Sequence, residues 1–204
     1  MSGFPGHSFD GTTLIEDDEK IGLRLLINTR GELNIAEAKG IDTATFKYLK
    51  SKRKLKPNNL LKDSFAKRFH KELFGEVWDW AGKYRKVATM PGIDWHQIPV
   101  QLNQLMQNTS TQISFLHDQS DSTKKEKLVA EFAYKLVWIH PFRNGNGRWS
   151  RAYADLLSDS LDIERFSWGS SIASEHERHL YMVNALGTAD ISGNIEEFLA
   201  WAKK

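Results

Sequence analysis

Hydrophobic residues recur at helical spacing over most of the chain. Apolar positions three or four residues apart occur in 60–74, again in 100–116, and again in 123–139. Thr123 with Glu126 matches a capping box at the start of the last stretch. Further helices are predicted over 35–49, 148–158, 174–186 and 195–203. The pattern therefore predicts an all-α fold.

The stretch from residue 82 to residue 99 departs from this periodicity. Gly82, Pro91, Gly92 and Pro99 interrupt helices there. Aromatic and β-branched residues lie between them and suit extended backbone. We expect a short hairpin or an extended loop within an otherwise helical chain.

Composition narrows the class of protein. The chain has 204 residues, 40% hydrophobic and 26% charged, the balance of an ordinary globular protein. No run reaches the roughly 18 apolar residues of a membrane helix, so no membrane association is expected. The absence of cysteine excludes disulfides, thiolate nucleophiles and Cys-based zinc sites. The first twenty residues are acidic and lack the apolar segment of a signal peptide, so we expect a cytoplasmic protein.

The net charge of +2 is unevenly distributed along the chain. Residues 47–72 contain ten Lys or Arg against Asp63 and Glu72, a local charge of +8. Such a stretch can bind nucleic acid or an acidic partner, but charge runs more often form a solvated helix face. We favour the solvated face and do not expect nucleic acid as a partner.

The residues that suggest chemistry lie between His140 and Arg151. His140 ends a predicted buried helix, and Pro141 turns the chain away from it. Gly145-Asn146-Gly147 permits close approach of the backbone to a ligand, and the N–H groups of the next helix attract anions. Arg148 and Arg151 lie on one face of that helix. A histidine beside an anion site is typical of phosphoryl or nucleotidyl transfer; the alternative is a glycine loop joining two helices, with His140 as a core histidine.

The same segment resembles the signature of Fic-domain proteins, His-x-Phe-x-[Asp/Glu]-Gly-Asn-Gly-Arg-x-x-Arg. Seven of its eight specified positions match between His140 and Arg151, through Phe142 and the glycines. Residues 80–85 resemble the Fic segment that leads into a β-hairpin flap, which would place the flap near 87–99. Segments 10–14, 29–34 and 94–99 further resemble the subgroup called mobile mystery protein B.

The resemblance implies a Fic-type helical bundle with a small β-hairpin flap. The Fic domain would cover residues 60–204, and residues 1–59 would form an N-terminal helical extension. The implied activity is transfer of AMP from ATP to a hydroxyl side chain of a target protein, with His140 as general base. The implied nucleotide- and phosphate-binding residues are Asn144, Gly145, Asn146, Gly147, Arg148 and Arg151.

One position departs from the family pattern. The acidic residue that orients Mg²⁺ in the family is Asn144 here, and a neutral amide oxygen is a poorer magnesium ligand. Metal-assisted transfer is therefore expected to be weakened or absent, unless Asp94 in the flap compensates. The alternative function is a Fic pseudoenzyme that binds nucleotide or a partner, as half of a toxin–antitoxin-like pair.

Many Fic proteins are inhibited by a glutamate, in a [Ser/Thr]-x-x-x-Glu-[Gly/Asn] helix, that pairs with the second motif arginine. Thr12–Glu16 and Ser192–Glu196 match this pattern incompletely. Glu37, on the predicted N-terminal helix, is a further candidate. Ordinary surface carboxylates are the alternative for all three.

Overall fold

A computed structural model describes residues 12–50, 54–116 and 121–204. Asp10 and Gly11 of the resemblance, and Lys52 and Arg53 of the basic stretch, lie outside the described residues. The α-helices are α1 (Arg30–Leu49), α2 (Pro57–Leu60), α3 (Asp63–Phe74), α4 (Ile98–Ser114), α5 (Ser122–Ile139), α6 (Asn146–Ser160), α7 (Glu175–Ser192) and α8 (Glu196–Ala202). The predicted all-α class is confirmed. None of the described helices is both long and apolar enough to cross a bilayer.

Two helix starts differ from the prediction because other residues cap them. Thr29 caps α1 through a capping box with Glu32, so the helix begins five residues earlier than expected. Asp121 caps α5 by accepting a hydrogen bond from the Lys124 N–H. The predicted Thr123 box is therefore wrong, since the Asp121 carboxylate begins the helix before that residue.

The core lies between α3, α5 and α6. Phe132 of α5 packs edge-on against Tyr153 of α6, with ring centroids 5.2 Å apart. Phe65 and Phe69 of α3 contact the same tyrosine ring. α1 packs on α3 and α6, so the N-terminal helix joins the same body. The predicted boundary between residues 59 and 60 falls within α2 and stays a prediction.

The flap segment is an extended loop that leads into a short 3₁₀ helix, Trp95–Gln97. No strand forms in residues 87–99, so the predicted hairpin is not adopted. Pro91 has no backbone N–H that could donate a hydrogen bond to a neighbouring β-strand. The carbonyls of Val87 and Ile93 accept hydrogen bonds from the Arg85 side chain instead of from a facing strand. Residues 86–94 are called the flap loop below.

Candidate active site

The motif loop, residues 140–147, connects the end of α5 to the start of α6. His140 follows α5 in the left-handed conformation, with φ 51° and ψ 60°. This conformation costs a non-glycine residue about 1–2 kcal/mol. The surrounding structure must therefore hold the backbone of His140 in place.

The His140 ring is held as one tautomer. Its Nδ1 lies 3.2 Å from the carbonyl oxygen of Val137. A carbonyl only accepts, so Nδ1 carries the proton and Nε2 is unprotonated. Burial of the half-buried ring lowers the pKa of His140, and the charge of Arg85 lowers it further, against the opposing effect of the Val137 carbonyl. His140 is thus neutral at pH 7, with a basic Nε2.

The start of α6 has no side-chain cap. Gly145 precedes the helix at φ 77° and has no side chain to cap it. A Cβ at Gly145 would lie 2.7 Å from the Phe74 ring, so only glycine fits. First-turn N–H groups have no acceptor within their own helix, and the helix dipole favours negative charge there.

Asn146 shapes the motif loop through its side chain. Its Oδ1 accepts from the Phe142 N–H at 2.9 Å, and its Nδ2 donates to the Phe142 carbonyl at 2.8 Å. Asn146 and Phe142 are both buried. The Asn146 side chain therefore fixes the loop, and its backbone N–H is the group left at the helix start.

His70 and Arg85, neither of which was expected from the sequence, hold the motif loop from outside. His70 Nδ1 accepts from the Gly82 N–H at 3.1 Å, so its Nε2 carries the proton and donates to the Asn144 carbonyl at 3.1 Å. Burial lowers the pKa of His70 to about 3, so the ring is neutral. The backbone N–H of Arg85 donates to the Pro141 carbonyl at 2.9 Å. The contact of His70 with the motif loop had one sequence signal, a histidine on the apolar face of α3.

The two motif arginines have different surroundings. Arg148 Nη2 lies 2.7 Å from Oε2 of Glu37, whose Oε1 accepts from the Trp78 indole N–H at 2.7 Å. Glu37 is only 2% exposed. Among the described residues, no carboxylate lies within 4 Å of Arg151, whose Nη1 is 3.8 Å from Sδ of Met182. Burial, with the charge of Arg148, lowers the pKa of Arg151 to about 10, so it stays protonated at pH 7.

The sequence profile of the Fic/DOC family matches residues 60–158, about half of the chain. Residues 60–158 are a Fic/DOC domain. The probable protein adenylyltransferase y4lH of Sinorhizobium fredii is 26% identical over 105 residues, 50% of this chain and 55% of that protein. The chain thus matches about half the length of this curated relative.

Solved structures share the Fic fold. The BepC effector of Bartonella tribocorum, with bound AMPPNP, gives a TM-score of 0.68 at 20% identity over 96% of this chain and 93% of that chain. The N-terminal FIC domain of Bep8 from Bartonella sp. 1-1C gives 0.68 at 17% identity, covering 89% and 88%. Fic-1 of C. elegans gives 0.59 at 22% identity, covering 82% and 47%. At these identities the likeness concerns the fold.

A cavity of about 370 Å³ adjoins the Fic motif at Arg151. Arg178, His179, Met182 and Trp201 also line it. The buried Nε of Arg178 and Nε1 of Trp201 have no hydrogen-bond partner among the described residues. Buried donors without acceptors are costly.

The three candidate inhibitory glutamates lie in different places. Glu16 is exposed, and Glu196 pairs with Lys127 at 2.6 Å. Glu37 contacts a motif arginine, but this is Arg148 rather than the second arginine of the Fic motif. The pairing expected at Arg151 is therefore not formed by these carboxylates.

The side chains of the Fic motif do not fit a magnesium site. Asn144 Oδ1 accepts from the Gly145 N–H at 2.7 Å. Asp94 uses its Oδ1 to accept from the N–H of His96, with the His96 ring Nδ1 2.8 Å away. No group of three or more His, Asp or Glu that could hold a metal occurs in the described part of the chain.

Much of the basic stretch 47–72 is paired within the chain. Lys47 and Arg68 both approach Glu72. Lys54 lies 2.7 Å from Asp162, and Lys67 pairs with Asp63. Asp63 and Glu72 are already counted in the local charge of +8, so among these pairs only Lys54 gains a carboxylate from outside the stretch. The paired Lys and Arg side chains are exposed, as is typical of a solvated helix face.

Proposed function

We propose that this Fic domain transfers AMP from ATP to a hydroxyl side chain of a target protein. The observation that carries the proposal is His140, a neutral histidine with an unprotonated Nε2, at the beginning of the motif loop that leads into α6, whose start has no side-chain cap. The curated relative named as a probable protein adenylyltransferase supports the same class of reaction.

In the proposed reaction His140 acts as general base. Its Nε2 takes the proton of the target hydroxyl while the hydroxyl oxygen attacks the α-phosphorus of ATP. The bond between the α-phosphorus and the bridging oxygen breaks, and pyrophosphate leaves with that oxygen. A positioned base of this kind contributes about 10²–10⁴ to the rate.

Charge on the nucleotide is proposed to be held by groups at the start of α6. The backbone N–H groups of the first turn face the phosphates, and Arg148 and Arg151 supply positive charge. The cavity beyond Arg151 receives the remainder of the nucleotide. Asn146 contributes through its backbone, since its side chain binds Phe142.

We expect Asn144 to limit any contribution of Mg²⁺ to the proposed reaction. We expect Asn144→Asp to increase Mg²⁺-dependent turnover, because a carboxylate adds the charged oxygen ligand that magnesium favours. Steady-state rates with and without Mg²⁺ measure the effect, with the exposed Arg143→Gln as a neighbouring control. Equal Mg²⁺-dependent turnover in the variant and the wild type would show that this position does not limit the reaction.

The direct test incubates purified protein with cell lysate and ATP labelled at the α or the γ phosphate. Label from the α position on a target protein, lost in His140→Ala, supports AMP transfer. Label from the γ position alone indicates phosphate transfer and contradicts the proposal. Absence of His140-dependent label, from a folded protein, also contradicts it.

A second candidate is a Fic pseudoenzyme that binds nucleotide or a regulatory protein in a toxin–antitoxin-like pair. Asn144 and the engagement of Arg148 by Glu37 favour it. Nucleotide binding by calorimetry, without transfer of label, would support this candidate over the first.

Three finer assignments belong to the same proposal. Residues 60–204 act as the catalytic domain, with residues 1–59 as an extension that reaches it through Glu37. We also propose that the chain belongs to the mobile mystery protein B subgroup, on the resemblance of 94–99 and the N-terminal segments. We further propose that the Fic domain acts on a cytoplasmic protein, which binds along the flap loop.

A further inference from the structure

Arg85 lies between the flap loop and the motif loop and contacts the backbone of both. Its Nε donates to the His140 carbonyl at 2.6 Å, and its Nη2 lies 3.3 Å from the Ile139 carbonyl. On the other side, Nη1 donates to the Val87 carbonyl at 2.7 Å and Nη2 to the Ile93 carbonyl at 2.6 Å. One guanidinium therefore binds four carbonyls from two segments that are far apart in sequence.

These carbonyls are the close partners of a buried cation. Arg85 is 4% exposed, and no carboxylate lies within 4 Å of it among the described residues. A guanidinium has five N–H donors in a rigid fork, and each one left without an acceptor in the interior is costly. The side chain thus stays in place only while both segments keep their carbonyls on it.

Gly92 brings the flap loop directly against this contact. Its φ is +144°, and a Cβ there would lie 2.6 Å from Arg85 Nη2 and 3.2 Å from the His140 Cβ. The flap loop therefore rests on the guanidinium and on His140 with no side chain between them.

We propose that Arg85 is a positioning residue that couples the flap loop to the backbone of His140. The guanidinium holds the carbonyl of His140, whose left-handed backbone sets the direction of the imidazole. Displacement of the flap loop by a bound target segment changes the carbonyls available to Arg85, and so the support of His140. The catalytic meaning of this coupling rests on the proposed function, but the coupling itself does not.

Hydrogen–deuterium exchange with mass spectrometry tests the coupling without requiring activity. Arg85→Lys keeps the charge but cannot bind four carbonyls at once. We expect faster exchange, by about tenfold or more, in peptides covering residues 87–93 and in the amides of Ile139 and His140. The exposed neighbour provides the control, since Lys86→Gln leaves the fork in place and should exchange like the wild type.

Acceleration in both segments, with unchanged exchange in the middle of α6, supports the proposal. Acceleration confined to 87–93 would overturn it, because Arg85 would then only anchor the flap loop. Unchanged exchange in both segments would overturn it as well.

Two further variants are measured by the same criteria if Arg85→Lys does not fold. These are Arg85→Gln and Gly92→Ala, the second of which displaces the guanidinium from the side of the flap loop. Where transfer is detected, we expect a lower kcat with an unchanged Kd for ATP, because Arg148 and Arg151 keep their places. A failure of transfer with coupled exchange would reject the proposed function alone.

Discussion

The motif loop and the flap loop lie side by side but are held very differently. Buried side chains hold the motif loop at several points, through Asn146, His70 and Arg85. The flap loop depends on Arg85 and on a bond from Thr89 to the Pro91 carbonyl, and its Met90 is 86% exposed. The difference indicates that the residues proposed for chemistry are preorganised, whereas the flap loop has few anchors of its own.

Removal of the Asn146 side chain should have the largest effect on stability. Asn146→Ala leaves the buried N–H and carbonyl of Phe142 without partners, and we expect a loss of about 3 kcal/mol in the free energy of unfolding. Urea denaturation measures it. Asn144→Ala, at an exposed position in the same loop, is the control and should cost less than about 1 kcal/mol. Equal losses in both variants would mean that the buried Asn146 side chain stabilises the motif loop no more than the exposed Asn144 side chain does.

Acid should destabilise the protein through His70, which binds the motif loop. His70 has a folded-state pKa near 3 because of burial, below its ordinary value of 6.5. The unfolded chain therefore binds the proton more readily, and the stability from neutral His70 is lost as the pH falls from about 6.5 towards 3. We expect about 2–3 kcal/mol to be lost by about pH 4.5, at roughly 1.4 kcal/mol per unit.

Urea denaturation of the wild type at a series of pH values checks this expectation. His96→Gln, which removes an exposed histidine beyond the flap loop, should leave the profile unchanged. A profile that is flat from pH 7 to about pH 4.5 would show that His70 is not a buried neutral group.

Glu37 pairs with Arg148 but not with Arg151, and a Glu37 variant tests what that difference does. Glu37→Gln keeps an acceptor for Trp78 but removes the charge that pairs with Arg148, at a cost of about 1–2 kcal/mol in stability. Release of Arg148 should raise the affinity for ATP severalfold, as measured by calorimetry. Glu131→Gln, which breaks a surface pair with Lys135, is the control. Weaker ATP binding in Glu37→Gln would mean that Glu37 orients Arg148 for the nucleotide rather than competing with it.

Changes at the surface of the flap loop should affect stability least. Met90→Ser removes an exposed side chain, so the free energy of unfolding should change by less than about 0.5 kcal/mol. Labelling of a target protein should nevertheless fall, because an apolar contact to the target is lost. Leu26→Ser, also fully exposed but in the N-terminal segment, should leave labelling unchanged. A fall of the same size in both variants would remove the special role of the flap loop.

Local signals predicted some parts of the molecule well and others poorly. The helices and the His140–Arg151 loop follow from apolar spacing and from glycine and proline, which act within a few residues. The conformation of the flap loop depends on Arg85, which takes the carbonyls that a hairpin would need. The Glu37 pair joins α1 to a helix more than a hundred residues later, and no local pattern marks such a contact.

Burial of the ring and the contact with Val137 imply that the fold holds His140 as a neutral base with its proton on Nδ1. Nitrogen-15 NMR of the histidine ring nitrogens at pH 7, with His140→Gln to assign the signal, tests it directly. We expect a protonated Nδ1 and an unprotonated Nε2 for His140, as the contact with Val137 requires. A doubly protonated ring, or a proton on Nε2, would contradict it.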